Sequence, residues 1–131
     1  MPVPALPQLA SLTSCVGRWT EALAAQGMKV VGTATSDAGA AAIGEALGAH
    51  GGSGLKLDVT DGAAVDRLRD AAIDAFGRVH VLCNNAGVAG SAPSGGTWVT
   101  ENEWRWVLEV NLWGVIHGHR AFLPHLVEHG D

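Results

Sequence analysis

Arg78-Val79-His80-Val81-Leu82-Cys83-Asn84-Asn85-Ala86-Gly87-Val88 is the stretch whose reading decides the fold. Five apolar or β-prone residues run straight into Asn-Asn-Ala-Gly, with Phe76-Gly77 just upstream. A short apolar run bounded by turn residues reads as a strand buried on both faces. Asn84 and Asn85 can bond the backbone locally, and Gly87 lets the chain turn sharply or pass close to a ligand. Open α/β sheets bind their ligands at such strand ends.

Upstream, the same punctuation repeats. Met1 to Val16 is poorly defined: Pro2, Pro4 and Pro7 make its start extended or disordered, and Leu9 to Val16 reads only as a weak strand. Arg18 to Gln26 is helical, with Gly27 as its stop. Lys29 to Thr35 is a strand, and Asp37 is expected to cap a helix over Ala38 to Ala49 with Ile43, Ala46 and Leu47 as its apolar face. Leu55 to Val59 is the next strand. Thr60 or Asp61 caps a helix to Phe76 on which Val65, Leu68, Ala72 and Phe76 follow the 3–4 spacing, and Gly77 ends it.

Downstream, Ala89 to Gly96 is a Gly/Ser/Pro loop, mobile on composition. Thr100-Glu101-Asn102-Glu103 is a capping box opening a helical region whose apolar positions run from Trp104 through Phe122 to Leu126, with Pro124 expected to bend it. Strand and helix alternate, which implies a parallel sheet with right-handed crossovers. The fold class is α/β, a partial doubly wound Rossmann-type sheet with helices on both faces. Residues 17–131 form one partial domain behind the poorly defined residues 1–16.

Composition excludes several classes. The 131 residues are 47% apolar and 16% charged, which is globular, and carry a net charge of −5 with scattered basic residues, which argues against nucleic-acid binding. Cys15 and Cys83 have no metal-ligand spacing. Leu12-Thr13-Ser14-Cys15 looks like a lipoprotein cleavage box, but no Lys or Arg precedes it and prolines interrupt the apolar run a signal needs, so the expected location is the cytoplasm. Of His117, His119, His125 and His129, only the last two share a helical face; they read as a solvated face, with no metal site.

Asn84-Asn85-Ala86-Gly87 after a strand resembles the signature of the short-chain dehydrogenase/reductase family, whose members reduce carbonyls or oxidise alcohols with NAD(P)(H). The resemblance extends to Leu57-Asp58-Val59, where it gives Asp58 and Val59 an adenine-holding role, and to Val110-Asn111-Leu112-Trp113-Gly114, where Asn111 matches the family's catalytic Asn. It implies that Asn84, Asn85, Ala86 and Gly87 line the cofactor cleft. From Met28 to Thr60 the wording is also similar to β-ketoacyl-carrier-protein reductases, above all at Val31-Gly32-Thr33-Ala34-Thr35-Ser36. A carboxylate at the end of the second strand selects NAD by binding the ribose 2′-hydroxyl. Here Ala34 and Thr35 stand in that place with no acid, which leaves room for a 2′-phosphate and makes NADP preferred over NAD, although no Arg or Lys is nearby to bind that phosphate.

The chain departs from the family pattern twice. Where the glycine-rich phosphate turn is due it has Thr13-Ser14-Cys15-Val16-Gly17-Arg18-Trp19-Thr20, so only Gly17 remains to serve the pyrophosphate and Trp19 would crowd it. The family's Ser and Tyr-x-x-x-Lys belong beyond the next strand, yet the chain stops at Asp131 and holds no tyrosine. Of the catalytic set only Asn111 is present, and its expected role here is to bond the backbone. The resemblance therefore implies a truncated reductase, inactive alone. Two alternatives stay open: a non-catalytic nucleotide-binding module, and an interaction protein that pairs with a full-length reductase. Trp104, Trp106 and Trp113 read as core or subunit-contact residues rather than a cofactor box. In the family this helical region pairs subunits, so the resemblance implies that a homo-oligomer or such a pairing would use the 100–129 helices.

Overall fold

Val30 and Val31 show how the sheet is built. Successive strand residues point to opposite faces, and both valines are buried, to 0% and 2% exposure. Val30 packs with Ala24 and Leu47 on one side of the sheet, and Val31 with Leu57, Val65, Leu68, Ala72, Val79, Ala121 and Phe122 on the other. Helices therefore cover both faces, as a parallel sheet requires. Fully burying each such side chain stabilises the fold by about 1.5–3 kcal/mol.

The computed structural model describes residues 7–11, 17–90 and 100–129. In chain order the elements are β1 (Pro7–Ser11), α1 (Gly17–Ala25), β2 (Lys29–Ala34), α2 (Asp37–Gly48), β3 (Ser53–Lys56), α3 (Gly62–Phe76), β4 (Val81–Cys83) and α4 (Glu101–Leu108). A π-helical turn (Glu109–Trp113) then leads into α5 (Gly114–His129). All strand pairings are parallel, in the order β3-β2-β1-β4. This is the partial Rossmann architecture that the sequence implied.

The weak first strand fills the central slot. It begins at Pro7 rather than Leu9 and pairs on both sides, Leu9 standing opposite Val31 and Leu82. The rest of the expected run, residues 12–16, lies outside the described residues. So do the expected extended start at 1–6, the cleavage-box reading, Cys15 and most of the 89–96 loop.

Other expectations shift by a residue or two. Ser36, not Asp37, caps α2, its hydroxyl accepting from the Gly39 N–H at 3.1 Å. Asp37 is the first helical residue and pairs with Lys56 at 2.7 Å. On α2 the inward positions are Ala40, Ile43 and Leu47, while Ala46 faces solvent. Strand β3 runs Ser53–Lys56, so Leu57, Asp58 and Val59 follow the strand instead of ending it. Asp61 caps α3 through the Ala64 N–H at 3.1 Å, and that bond holds its carboxyl below the ordinary carboxylate value. Gly27 and Gly77 stop α1 and α3 at positive φ, 86° and 76°, a conformation that costs other residues free energy.

Strand β4 is only half-buried, not covered on both faces, because it pairs with β1 alone among the described residues. The capping box at Thr100 is complete, Thr100 Oγ1 accepting from the Glu103 N–H and Glu103 Oε2 accepting from the Thr100 N–H. The break in α-helical geometry falls at Glu109–Trp113, while Pro124 sits inside α5.

Candidate functional site

The chain leaves β1 toward β2 on one side and returns from β3 to β4 on the other. A doubly wound sheet opens a crevice at the carboxyl ends of its strands where this reversal occurs. A cavity of about 330 Å³ lies there. Thr33 and Thr35 at the end of β2, Leu57 to Thr60 after β3, and Ala86 and Val88 after β4 form its walls, with Trp106 and Val110 closing it from α4 and the π-helical turn.

Asp58 is held by a local turn. Its Oδ1 accepts from the Thr60 N–H at 2.9 Å and the Thr60 hydroxyl at 2.7 Å. This fixes the carboxylate at the rim and leaves Oδ2 without a bond among the described residues. The Leu57 N–H donates to the Ala34 carbonyl at 2.8 Å, which ties this segment to the end of β2. Beside that strand end, Lys56 stands opposite Ala34 in the register. A basic residue therefore does lie near the second strand's end, contrary to the sequence reading; the twenty-odd residues between the two hid it. Lys56 is paired with Asp37, and this hydrogen bond holds the Asp37 carboxyl below its ordinary value.

Asn111 lies in the π-helical turn. Its Oδ1 accepts from the Val88 N–H and its Nδ2 donates to the Val88 carbonyl, both at 2.8 Å. The amide thus clamps the chain after β4 as a neighbouring strand would. Single π-helical turns inside helices are frequent at functional sites. Asn84 lines a small adjoining pocket with Val59, Ala86, Gly114 and Val115. Of the expected site residues, Thr35, Asp58, Val59 and Ala86 come together around the cavity and Asn84 beside it. Asn85 and Gly87 are on the same segment but do not line it. Gly17 is the first residue of α1. The phosphate turn before it, and the side chain of Trp19, lie outside what is described.

Sequence reasoning missed the glycines that let α5 reach this site. A Cβ on Gly114 would meet Val59 Cγ2 at 2.7 Å, and one on Gly118 would collide with the Asn84 side chain. The two are four residues apart, hence on one helix face, and that spacing was the available signal. It also missed the Trp106–Val110 wall. The three tryptophans are not core residues: Trp104, Trp106 and Trp113 are 51%, 47% and 47% exposed.

The histidines are not simply a solvated face: His119 is exposed, but His117, His125 and His129 are half-buried. His125 Nε2 accepts from the Val79 N–H at 3.2 Å, and its ring stacks on His129 at 4.4 Å between centroids. His117 Nδ1 bonds the Val59 carbonyl at 2.9 Å. Periodicity along α5 puts His125 beside His129 but shows neither backbone partner, because Val79 and Val59 belong to segments 46 and 58 residues away. Burial pushes the Cys83 thiol above its ordinary value, which favours the protonated form.

Comparison with known proteins agrees with this geometry. Residues 16–131 match the family model for short chain dehydrogenases. Over 110 residues the chain is 40% identical to 1-deoxy-11-beta-hydroxypentalenate dehydrogenase of Streptomyces avermitilis, covering 82% of this chain and 41% of that protein. It is 41% identical over 103 residues to the 3-oxoacyl-[acyl-carrier-protein] reductase FabG of Escherichia coli, covering 79% and 41%. A short-chain dehydrogenase/reductase from Burkholderia phymatum in complex with NAD superposes with a TM-score of 0.84 at 34% identity, over 100% of this chain and 47% of that one. For the 3-ketoacyl-(acyl-carrier-protein) reductase of Brucella melitensis complexed with NADH the values are 0.83 and 28%, over 99% and 53%. The chain spans about two fifths of the length of the curated relatives named here. It belongs to the short-chain dehydrogenase/reductase family of oxidoreductases.

Proposed function

We propose that these 131 residues bind a nicotinamide dinucleotide, NADP in preference to NAD, and by themselves do not turn it over. The cavity at the carboxyl ends of β2 and β3 carries the reading, since it combines apolar walls with the fixed carboxylate of Asp58. Its size, about 330 Å³, is at the lower end for small-molecule clefts (~300–1,000 Å³) and suits one end of a dinucleotide. The residues present fit that end. In this proposal Asp58 and Val59 hold the adenine, Thr35 faces the ribose, and Asn84, Asn85, Ala86 and Gly87 carry the rest along the β4 end. Gly17 offers its amide to the phosphates from the start of α1, where anions are favoured.

The bound dinucleotide would supply hydride chemistry. This sequence has no tyrosine to exchange the proton that must accompany it. Asn111 spends its amide on Val88, which supports a positioning role. The NADP preference rests on Ala34 and Thr35 standing where an NAD-selecting acid would be, with the nearby Asp37 neutralised by Lys56. Similarity to FabG-type reductases supports descent from a ketoacyl reductase. A second reading concerns the outward apolar face of α4 and α5. Trp104, Leu108, Leu112, Ile116, Leu123 and Val127 are all exposed, which supports pairing there with a second copy or a full-length relative. A cytoplasmic address belongs to the same proposal; among the described residues no helix is long and apolar enough to cross a membrane.

Titration of the purified chain with NADPH and NADH, followed by quenching of its five tryptophans, tests the main reading. Saturable binding, tighter for NADPH and without carbonyl reduction, is expected. A folded chain that binds neither nucleotide would reduce the likeness to shared ancestry.

A further inference from the structure

The outer wall of the cavity is aromatic. Trp106 lines it from α4, a helix that buries none of its residues fully, and Val110 lines it one turn further on. These two are four residues apart and so present one face to the cavity. Leu57, Val59, Ala86 and Val88 supply the remaining apolar lining, while Asp58, Thr60, Thr33 and Thr35 supply its polar groups. Apolar lining with a large flat ring on one side and a free acceptor oxygen, Asp58 Oδ2, is the chemistry that receives a planar heteroaromatic base bearing an amine.

A half-exposed tryptophan by itself needs no explanation. Trp104 and Trp113 are equally exposed, yet neither lines this cavity, and Trp113 lies instead against the His117 ring at 6.2 Å. The position of Trp106 is what separates it from its neighbours. We infer that Trp106 is a cofactor-binding residue, its indole stacking on the adenine ring of the dinucleotide while Asp58 Oδ2 accepts from the base's amine. The inference rests on the dinucleotide reading above and adds a residue to it. It also gives α4 a task in binding: the capping box at Thr100 and Glu103 fixes the start of the helix that carries the indole.

Calorimetric titration of the full chain avoids relying on the fluorescence that the substitutions remove. The ligands are NADPH and 2′-phospho-ADP-ribose, which keeps the adenine end and lacks nicotinamide. Trp106→Leu should weaken both roughly tenfold, as expected when a base loses an aromatic platform. Trp106→Phe, which keeps a flat ring, should recover most of the loss, and Trp104→Leu should bind as the parent does. Circular dichroism should be the same for all of them, since an exposed side chain is being changed.

Unchanged affinity in Trp106→Leu, with the parent binding normally, would overturn the stacking role and leave the dinucleotide reading intact. So would an equal loss in Trp106→Phe or in Trp104→Leu, because flatness and position would then not matter. A loss for NADPH alone, or failure of the parent to bind the nicotinamide-free ligand, would move the contact away from adenine and overturn it too. A parent that binds neither ligand would sink both readings together.

Discussion

Helices α3 and α5 lie side by side on the same face of the sheet, yet they spend their apolar residues in opposite ways. On α3 the large apolar residues go inward, Val65 and Leu68 buried with Ala72, and Ile73 and Phe76 half-buried against the core, while charged Arg67, Asp70 and Asp74 face out. On α5 the fully buried residues are mostly small, Gly114, Gly118 and Ala121 with Phe122 the one large side chain, Leu126 is half-buried against the core, and Ile116, Leu123 and Val127 face out. Two helices can thus look equally amphipathic in sequence although only one is filled toward the core. The small face of α5 is what brings it down onto Val59 and Asn84, at the edge of the cavity. On this helix close approach serves the site, and bulk is left outside.

The heaviest test of that contrast is Phe122→Ala. Phe122 is 0% exposed and joins α5 to α3 and the sheet. Removing such a ring costs about 3–5 kcal/mol, a large share of the ~5–15 kcal/mol that holds a domain together. Urea denaturation followed by circular dichroism should show a much lower midpoint or no transition. A shift of only a few tenths would mean that α5 contributes little to the core.

Next comes Gly114→Ala. Alanine is favoured over glycine inside a helix by about 1 kcal/mol, but here the added methyl meets Val59 Cγ2 at 2.7 Å. Overpacking of this kind costs about 1–3 kcal/mol, so a net loss of about 1 kcal/mol is expected. Gly48→Ala, at a helical position with nothing within 4 Å, should go the other way. Equal effects at the two positions would remove the argument that the small face of α5 exists for close approach.

A smaller effect is expected from pH. His125 accepts from the Val79 N–H through Nε2, so the folded state needs this ring neutral. Burial, then the stacked His129, and more weakly Arg78 and His80, push its pKa below the ordinary 6.5, against the opposing pull of Glu128. A histidine whose folded pKa is depressed contributes stability above its unfolded value, and that contribution is lost as pH falls from 6.5 through the lower folded value. The urea midpoint should therefore drop between pH 7.5 and 5.5. His125→Gln keeps an acceptor but does not titrate, and should flatten that slope; an unchanged slope would assign the titration elsewhere. The free energy at stake is on the order of one hydrogen bond, about 0.5–1.5 kcal/mol.

How far the sequence could be read follows from the same contrast. The α3 stripe and the glycine stops are local patterns, and Val65, Leu68, Ala72, Gly27 and Gly77 all fall where periodicity and turn chemistry put them. The four-residue capping box is equally local. At the candidate site, Asp58 and Ala86 were legible through the motifs that carry the family resemblance, and Thr35 through its place just after β2. What stayed hidden depends on a distant segment. Lys56 reaches the β2 end through strand register, the backbone partner expected for Asn111 is Val88, 23 residues away, and His125 finds Val79 across 46. The core half of the Trp106 reading failed for a related reason: apolar periodicity says a residue wants cover but not whether core, ligand or another chain provides it.

The outward face of α4 and α5 is where that ambiguity can be broken with the least disturbance to folding. Leu123 and Val127 are 48% and 75% exposed and line a shallow apolar groove with Ile116, Pro124, His119 and Arg120. Substitutions at exposed positions change stability by only about 0.5 kcal/mol or less. Leu123→Glu with Val127→Glu should therefore leave the urea midpoint nearly where it was. If the face pairs with another copy, the same variant should turn a dimer into a monomer in sedimentation velocity, and Phe122 beneath it should remain packed. A parent already monomeric at high concentration would count against self-pairing and leave a full-length relative as the partner to test by co-expression. A variant that unfolds would reverse the contrast, since residues assigned to the outside of α5 would then be holding its inside in place.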